Sequence, residues 1–494
     1  MHFPANLVGH RVPVWCKQGD CCVEVHVGTH PPEGKDWEQD PDTLDTWFSA
    51  ALWTWSTLVD PKVAKDSSLS LEEMLQKSPD FQKFHPTNVL ETGRDILFFW
   101  VARMILMTTY ATGQIPFNTV YLHGMVLTRD GKKMSKSDPA STIDPLVVIK
   151  KYGADALRLS MIVGQSPGND FRLYEEKIAG YRNFVNKLWN ATRFVLLECE
   201  KAGVEPGKLK IENGELKMME LSLSDRALLH GLRELIENVT KGVESYRLSE
   251  VGENIYNFVW DFFCDWYVEL SKEGKEEKEG KEVRLNVLIH AMRILLRLLH
   301  PYIPFVTEEL WGSFKPQGAG MLIKEEWPSV DSSLRDESAW RELQIVIEVI
   351  RSIRALRSDY DVEPGKQIAA VLVAKGETSA LLEREQAHIR RLARIEHLTI
   401  QDKKYEGGRA ASAFTTNVDI HLPLDNLIDA AKERARLMKK QASLQKFLRS
   451  LEAKLNDAAF ARNAPPEVVE KERAKEKEAR EKLAKIEERL KGLE

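Results

Sequence analysis

The sequence has few cysteines and no long apolar run. Its 494 residues include only five cysteines, which excludes a disulfide scaffold and favours a reducing compartment, here the cytoplasm. The longest apolar run, residues 96–107, is interrupted by Arg103 and falls short of the roughly 20 residues that a membrane span needs. The first five residues lack the basic and apolar regions of a secretory signal, so we expect no secretory leader.

The charge of the chain is unevenly distributed. The formal net charge is −5, yet residues 426–462 contain nine Lys or Arg against four Asp or Glu. A locally basic face can bind nucleic acid even in an acidic protein. The alternative is that these charges only solvate a helical surface.

The hydrophobic pattern divides the chain into five regions and predicts a multidomain fold. Residues 1–41 are turn-rich, and residues 42–168 alternate short strands with helices, as in an α/β layer. Residues 169–340 predict an all-α helical bundle. Residues 341–425 predict a small α/β module, and the leucine spacing in residues 426–494 predicts a C-terminal antiparallel coiled coil.

Several local patterns predict individual elements. Residues 120–127 are expected to form one buried strand. A helix should begin with Asp144 as its N-cap and Pro145 at its first position. The aromatic-rich helix over residues 256–270 is expected to be core rather than a base-stacking platform. Residues 368–373 and 418–422 predict strands of the small module.

A loop rich in lysine and serine follows the predicted strand 120–127. It comprises residues 131–137, Gly-Lys-Lys-Met-Ser-Lys-Ser. Its ammonium and hydroxyl groups can bind phosphate oxygens and stabilise the charge that develops on a departing pyrophosphate. The alternative is an exposed basic turn.

The order of several segments resembles one enzyme family. Residues 133–137 spell the Lys-Met-Ser-Lys-Ser signature of class I aminoacyl-tRNA synthetases. Residues 45–53 and 91–104 resemble sequence motifs of valyl-tRNA synthetases that the isoleucyl and leucyl relatives lack. Further similar segments follow in the same order, at residues 144–145, 152–158, 180–190, 263–267, 300–311 and 464–469. The resemblance runs from about Gly9 to the C-terminus.

The resemblance implies a role for each residue of the lysine loop. Lys133 and Lys136 would contact the ATP phosphates during catalysis, with Ser135 and Ser137 supporting the loop. Met134 would also belong to the ATP site. ATP is expected to enter as its Mg²⁺ complex.

The resemblance also implies where the nucleoside binds. Gly93 and Asp95 would approach the ATP ribose, where a carboxylate can accept hydrogen bonds from hydroxyl groups. His123 and Gly124 would lie beside the adenine. A histidine whose hydrogen bonds are satisfied within a strand is the alternative for His123.

The valine pocket is implied by three apolar residues. In the family, the positions of Trp47, Ile96 and Trp100 line this pocket. Such side chains would give a rigid apolar wall for a branched substrate. Plain core packing is the alternative.

One family signature is missing from the sequence. Class I enzymes hold the triphosphate at the N-terminus of the first Rossmann helix through a His-Ile-Gly-His segment. Residues 26–30, His-Val-Gly-Thr-His, are only superficially similar. Residues 9–15 match the family segment that follows the editing domain, so residues 1–41 would be a remnant after that insertion. The resemblance is therefore to the C-terminal portion, in which residues 42–168 would be the C-terminal half of a Rossmann-type class I catalytic domain. We do not expect this portion to be active alone.

Two alternatives to a complete enzyme follow from this resemblance. The chain could be a non-catalytic tRNA-binding protein. It could also be one subunit of a split synthetase that is completed by a separate N-terminal half.

The resemblance implies that valine tRNA is a partner. Residues 169–340 resemble the anticodon-binding domain, and residues 426–494 resemble the coiled-coil arm of the family. The arm carries basic residues that we expect to contact tRNA phosphates. These residues are Lys432, Arg434, Arg436, Lys439, Lys440 and Lys446.

No metal site is expected. Cys16, Cys21 and Cys22 lie near His26 and His30, but their C-x4-C-C spacing is not that of paired zinc ligands. A structural zinc ion needs four converging ligands. We therefore interpret these residues as ordinary reduced cysteines.

Overall fold

The computed structural model of the chain describes most of its residues. The described residues are 9–18, 23–134, 143–208, 221–272, 280–423, 430–456 and 466–492. They divide into two units. The first unit comprises residues 1–192, 235–258 and 295–328, and the second comprises residues 193–234, 259–294 and 329–494. Within the described ranges, no helix has the length and apolar character that crossing a membrane requires.

The fold combines α/β parts with long helices. The strands are β1 Val14–Gln18, β2 Val23–Val27, β3 Glu38–Gln39, β4 Thr87–Gly93, β5 Phe117–His123, β6 Val126–Leu127, β7 Phe171–Arg172, β8 Ile368–Val373, β9 Ile395–Gln401, β10 Ala410–Phe414 and β11 Asp419–Pro423. The helices are α1 Thr46–Ser56, α2 Leu71–Gln76, α3 Pro79–Phe84, α4 Ala102–Thr112, α5 Pro145–Tyr152, α6 Ala154–Ile162, α7 Glu175–Ala202, α8 Leu223–Glu244, α9 Leu248–Asn257, α10 Val268–Leu270, α11 Lys281–Leu299, α12 Pro304–Phe314, α13 Glu337–Asp359, α14 Gly376–Arg384, α15 Gln386–Ala393, α16 Ala430–Asn456 and α17 Pro466–Gly492.

In the first unit, a crossover connects two parallel strands. Strand β4 pairs in parallel with β5, and helix α4 lies in the connection between them. A π-helical segment, Leu97–Val101, precedes α4. Helix α1 packs against α4. The small core at this contact contains Ala50, Val101, Met104 and Phe117, all buried.

The predicted strand 120–127 is wrong as one element. The chain forms β5 and β6 instead, with Gly124 and Met125 between them. Strand β6 then pairs in parallel with β7, whereas β5 pairs with β4. At the interruption the chain meets a distant segment: the Met125 amide donates to the Asp170 carboxylate, and a Cβ at Gly124 would lie 1.6 Å from the carbonyl oxygen of Asn169.

Helix α5 begins as the sequence predicts. The Asp144 side chain accepts a hydrogen bond from the Leu146 amide at 2.8 Å, and Pro145 occupies the first helical position. Asp155, in helix α6, caps a helix that lies far from it in the sequence. Its carboxylate accepts the amide hydrogens of Phe305 and Val306, at 3.2 and 2.7 Å, at the start of α12.

The aromatic helix is core, as predicted. Residues Phe258–Tyr267 are π-helical, and Phe263 and Tyr267 are fully buried. In the second unit the Tyr267 hydroxyl donates a hydrogen bond to Asp225 at 2.6 Å. Burial, with the adjacent Asp225 carboxylate, raises the pKa of Tyr267 well above its ordinary value.

The second unit contains a four-stranded sheet of order β10-β11-β8-β9. Strands β8 and β9 are parallel, and the other pairs are antiparallel. Both predicted strands are therefore confirmed, as β8 and β11. Helices α13, α14 and α15 pack on the face that presents buried Leu372 and Ile420.

The two C-terminal helices run antiparallel in the second unit. Lys454 of α16 lies 3.6 Å from Glu472 of α17, and Glu452 lies 2.7 Å from Arg480. Since the partner numbers fall along one helix as they rise along the other, the helices have opposite directions. Leu451 is buried within this pair. The coiled-coil supercoil itself stays a prediction.

Candidate functional site

The ends of two parallel strands form the centre of the candidate site. The register of β4 and β5 places Gly93 opposite His123. Ligands of α/β proteins bind where the carboxyl ends of parallel strands meet. A Cβ at Gly93 would lie 3.2 Å from Nε2 of His123. Glycine at this position therefore lets the imidazole ring approach the backbone of β4.

The His123 ring is oriented by an acidic residue that the sequence reasoning did not select. Nδ1 of His123 contacts the carboxylate of Glu91, and both side chains are about half exposed. The contact directs Nε2 toward Gly93. The signal for Glu91 is its position two residues before Gly93, which puts both on one face of β4. Burial and the Glu91 carboxylate raise the pKa of Tyr121 on the paired strand.

A network of hydrogen bonds fixes the turns beside these strand ends. Arg94 donates to the Gly168 carbonyl at 3.0 Å and to the Asp170 carboxylate at 2.9 Å. Asp170 also accepts the amide hydrogen of Met125 at 2.9 Å. The turn after β4, the turn after β5 and the segment before β7 are thereby joined. Asp95 follows Arg94, with its side chain 59% exposed.

Gly124 is confined by this network. A Cβ there would clash with the carbonyl oxygen of Asn169, which is backbone and cannot move aside as a flexible side chain can. Gly124 therefore has a structural reason to be glycine that is independent of any ligand. Its contact with adenine stays a prediction.

The lysine loop begins as a tight turn on β6. The Thr128 amide donates to the Lys132 carbonyl at 2.8 Å, and Gly131 adopts a left-handed conformation with φ 79°. Lys133 pairs with Leu127 across the turn, and its side chain is exposed. An ammonium group at this exposed position can contact the phosphate of a ligand.

The next loop residue, Met134, is placed differently from Lys133. Met134 is partly buried and packs against the core cluster that includes Val148 and Phe171. Its side chain therefore anchors the loop. Ser135, Lys136 and Ser137 lie outside the described residues, so their assigned roles stay predictions.

The three residues predicted to bind valine lie around α1 and the start of α4. Trp47 is in the first turn of α1, 42% exposed, and Asp45 caps that helix by accepting the Trp47 amide hydrogen. Ile96 is 43% exposed. Trp100 is half-buried and packs on the core between α1 and α4. Trp47 and Ile96 thus expose surface that can contact a ligand, and Trp100 also packs on the core. The valine-binding role of all three residues stays a prediction.

A cation lies beside the residues that are predicted to bind the substrate valine. The Arg103 guanidinium stacks over the rings of Trp47 and Phe99, at 4.6 and 5.6 Å from their centroids. It also donates to the Thr46 hydroxyl at 2.9 Å. Sequence reasoning did not assign Arg103 to the site. The available signal was that Arg103 is the charge interrupting the apolar run 96–107.

The cysteine-rich segment forms a small sheet. Cys16 lies in β1, opposite Val25 of β2 and Glu38 of β3. His26 lies in β2 with its ring edge-on to Trp37, and no helix begins there to bind a triphosphate. In the described ranges, no three His, Cys, Asp or Glu side chains converge on a common point. Cys21 and Cys22 lie outside those ranges.

The predicted tRNA contacts all lie on α16. Lys439 and Lys446 are exposed and seven residues apart, which puts them on one face of the helix. The side chains of Lys432, Arg434, Arg436 and Lys440 are outside what the structure describes.

Three family models match the chain in order. Residues 23–174 match "tRNA synthetases class I (I, L, M and V)". Residues 225–373 match "Anticodon-binding domain of tRNA ligase", and residues 429–494 match "Valyl tRNA synthetase tRNA binding arm". The strand ends and lysine loop described above therefore lie within the residues that match the class I tRNA synthetase model.

Curated relatives define the family more narrowly. A valine--tRNA ligase of Listeria innocua is 39% identical over 489 residues, which are 98% of this chain and 53% of the relative. The valine--tRNA ligase of Oceanobacillus iheyensis is 38% identical over 490 residues, 98% of this chain and 52% of that relative. The chain belongs to the valine--tRNA ligase family, and it spans about half the length of the curated relatives it matches.

A solved structure has a weaker similarity. The LeuRS of Agrobacterium radiobacter K84, in a ternary LeuRS-tRNA-LeuAMS complex, has a TM-score of 0.47 and 20% identity to this chain. The similarity covers 66% of this chain and 42% of that chain. At this level it supports no argument about the site.

Proposed function

We propose that this chain provides the nucleotide-binding strand ends, the phosphate-binding loop and the tRNA-binding parts of a valine--tRNA ligase. The observation that carries the proposal is the pairing of Gly93 with His123 at the strand ends. It occurs in a chain 39% identical to a valine--tRNA ligase over 98% of its length. The substrates are valine, ATP as its Mg²⁺ complex, and valine tRNA.

The proposed first step is the activation of valine. A valine carboxylate oxygen attacks the α-phosphorus of ATP, the bond to the bridging oxygen breaks, and pyrophosphate leaves. Lys133 and Lys136 stabilise the negative charge that develops on pyrophosphate, and the serines of the loop support it. The Asp95 carboxylate accepts hydrogen bonds from the ribose, and His123 lies beside the base.

The proposed second step is transfer to tRNA. A ribose hydroxyl of the terminal tRNA nucleotide attacks the valyl carbonyl, and AMP leaves. Trp47 and Ile96 contact the branched side chain in both steps. The Arg103 guanidinium over the Trp47 ring holds that indole in one orientation.

The proposed tRNA contacts come from two regions. We assign residues 169–340 to an anticodon-binding bundle and residues 426–494 to a coiled-coil arm, separated by the α/β module of residues 341–425. The arm binds phosphates through α16, where Lys439 and Lys446 are exposed. Phosphate contacts position a nucleic acid without reading its sequence.

A second candidate function is that of one component of a two-part catalytic unit, and exposed apolar side chains support it. Around α1 and α4 several large apolar side chains are exposed. They are Phe98 at 75%, Phe99 at 61%, Leu106 at 60%, Tyr110 at 87% and Trp53 at 59%. Exposed apolar patches of this kind are typical of binding surfaces. They favour a chain that acts in the cytoplasm as one component of a catalytic unit, whose other component covers this face.

The tRNA-binding part of the proposal can be tested on the chain itself. Labelled valine tRNA and a tRNA for another amino acid are titrated over a range of salt concentrations. We expect tighter binding of valine tRNA and a steep salt dependence. Replacing two arm lysines, Lys439→Glu and Lys446→Glu, should lower the slope of log affinity against log salt by about 2.

Two comparisons make this test specific. The control variant carries Lys62→Glu and Lys65→Glu, which reverse two exposed lysine charges far from α16 in sequence and should leave the slope unchanged. Equal affinity for both tRNAs, or an equal loss in both variants, would count against the proposal.

A further inference from the structure

The outer face of the sheet in the second unit has no assigned role. Residues 374–428 lie between the family matches to the anticodon-binding domain and to the tRNA-binding arm. Helices α13 to α15 cover one face of this sheet. The opposite face presents Ser412 and Phe414 of β10 and His421 of β11. Phe414 is 71% exposed.

Three rings on this outer face form a cluster, here called the ring cluster. The Tyr405 ring stacks on the His421 imidazole, with 4.7 Å between centroids and 13° between planes. The Phe414 ring meets the same imidazole edge-on at 6.1 Å and 81°. The Ser412 hydroxyl is hydrogen-bonded to Nδ1 of His421 at 2.7 Å. The central ring is therefore fixed by contacts on several sides.

The position of Tyr405 is fixed as well. A Cβ at Gly407 would lie 2.3 Å from both Cζ and the hydroxyl oxygen of Tyr405. Glycine at position 407 thus gives the ring the space to lie against the backbone of its own loop. Burial lowers the pKa of His421, and Asp419 opposes that effect. The imidazole is accordingly neutral at neutral pH, and the stack presents uncharged rings.

The loop that carries Tyr405 also carries positive charge. Lys403 and Lys404 directly precede Tyr405, and both are exposed. Gln401 holds this part of the loop by donating to the Lys403 carbonyl at 2.8 Å. The loop further contains Arg409, and the acidic residues Asp402 and Glu406 offset two of the three positive charges. The loop thus keeps a net positive charge, and its two exposed lysines directly precede Tyr405 in the sequence.

We propose that this outer face binds single-stranded RNA, with bases stacked on Phe414 and against the Tyr405–His421 pair. The inference rests on the proposed tRNA-binding function and adds a contact site to it. Aromatic rings on a four-stranded sheet are a common platform for unpaired RNA bases. Such stacking accepts any base, because each base has a π-face. Lys403 and Lys404 would contact the neighbouring phosphates.

The composition of the face favours RNA over a protein partner. Its exposed residues other than Phe414 are polar, such as Thr399 of β9 and Ser412 of β10. The register also puts Val371 and Val373 of β8 and the Asp419 carboxylate on this face, all of them half-buried. A protein-binding surface is expected to have a contiguous apolar patch. A single exposed ring among polar groups matches the stacking mode instead.

The test measures binding of the full chain to two labelled probes by fluorescence anisotropy. One probe is a single-stranded oligoadenylate, and the other is an RNA duplex of equal length. Phe414→Ala and Tyr405→Ala should each weaken oligoadenylate binding by about 5- to 150-fold, as expected for the loss of one stacked base. Phe414→Tyr should retain binding, since it keeps a ring. Duplex binding should change little, because paired bases cannot stack on the cluster.

A second variant perturbs the cluster without removing a contact group. Gly407→Ala should displace the Tyr405 ring and weaken oligoadenylate binding in the same direction. Ile323→Ala is the matched control, since Ile323 is likewise exposed, at 70%, and lies in the first unit. Melting temperatures verify that Phe414→Ala and Ile323→Ala leave the fold intact.

Several results would overturn the inference. These are unchanged oligoadenylate binding in both Phe414→Ala and Gly407→Ala, or equal losses for oligoadenylate and duplex. A change in sedimentation of Phe414→Ala without a change in RNA binding would show instead that the face joins two copies of the chain. The Lys439→Glu, Lys446→Glu variant separates the two proposals. If the lysine variant loses tRNA binding while the ring variants keep oligoadenylate binding, only the inference about the ring cluster fails. If the unaltered chain binds no RNA, the proposed function fails as well.

Discussion

Arg94 and Asp170 form an ion pair of 2.9 Å between the turn after β4 and the segment before β7. Asp170 also accepts the Met125 amide hydrogen. The pair therefore joins the strand ends that we propose to bind the nucleotide to the strand that leads into the lysine loop. Both side chains are partly exposed, so the pair should matter more for geometry than for stability.

Replacing Arg94 should affect ATP binding more than folding. Arg94→Met removes the contacts with Asp170 and with the Gly168 carbonyl. The free energy of unfolding should fall by about 1 kcal/mol or less, as for other exposed ion pairs. Activity is measured as valine-dependent ATP–pyrophosphate exchange after the chain is combined with the amino-terminal half of a valine--tRNA ligase. In that reaction the KM for ATP should rise while the KM for valine changes little. An equal rise of both constants, or a large loss of stability, would contradict a positioning role.

Gly124→Ala should destabilise the first unit. The added Cβ would lie 1.6 Å from the Asn169 carbonyl oxygen, and overpacking of this kind costs about 1–3 kcal/mol. Gly312→Ala is the control, because this helical glycine has no atom within 4 Å of its added Cβ and alanine favours a helix by about 1 kcal/mol. Urea unfolding should give opposite signs for the two variants. The same sign for both would contradict the close approach at Gly124.

Asp155→Ala should also destabilise the first unit. The change leaves the amides of Phe305 and Val306 without their carboxylate acceptor at the start of α12. Loss of a buried hydrogen-bonding partner costs about 1–3 kcal/mol. Asp144→Ala, which removes the cap of α5, should cost about 1 kcal/mol. A smaller loss for Asp155→Ala than for Asp144→Ala in urea unfolding would argue against this long-range cap.

His85 should make stability depend on pH. The residue is buried, stacks on Phe81 at 4.5 Å, and has Nε2 without a hydrogen-bond partner. Burial lowers the pKa of His85 below 6.5, against a weaker opposing effect of the Thr54 carbonyl. As the pH falls, His85 is therefore protonated in the unfolded chain before it is protonated in the folded chain. The free energy of unfolding consequently falls as the pH decreases through 6.5 toward the folded-state pKa.

His85→Phe isolates this contribution. The variant keeps a ring against Phe81 but cannot bind a proton. Urea unfolding above and below pH 6.5 should show a smaller loss of stability at the lower pH than in the unaltered chain. Identical pH dependence in both proteins would show that His85 does not contribute.

Local signals in the sequence predicted the elements that depend on local chemistry. The Asp144 cap is confirmed because a side-chain oxygen two residues before Leu146 is enough to form it. Strand β8 and the buried aromatic helix are confirmed because their apolar patterns reflect burial directly. The break at Gly124 was missed because Asn169 lies 45 residues further along the chain.

The candidate site likewise combines residues that the sequence indicated with residues that only the fold brings together. Motif resemblance selected Gly93 and His123, and the strand register brings them together. It did not select Glu91 or Arg94, whose partners become neighbours only through the fold. Met134 was assigned to ATP, but its packing against Val148 and Phe171 could not be foreseen from a loop sequence.

In the proposed function the strand ends and Lys133 act together on ATP. This joint action can be measured as valine-dependent ATP–pyrophosphate exchange, with this chain and the amino-terminal half of the Listeria innocua valine--tRNA ligase. The carboxyl-terminal half of that ligase is the positive control for reconstitution. We expect exchange with the unaltered chain and a loss of about 100-fold or more with Lys133→Ala. No exchange with the unaltered chain while the control is active, or equal exchange with Lys133→Ala, would contradict the claim.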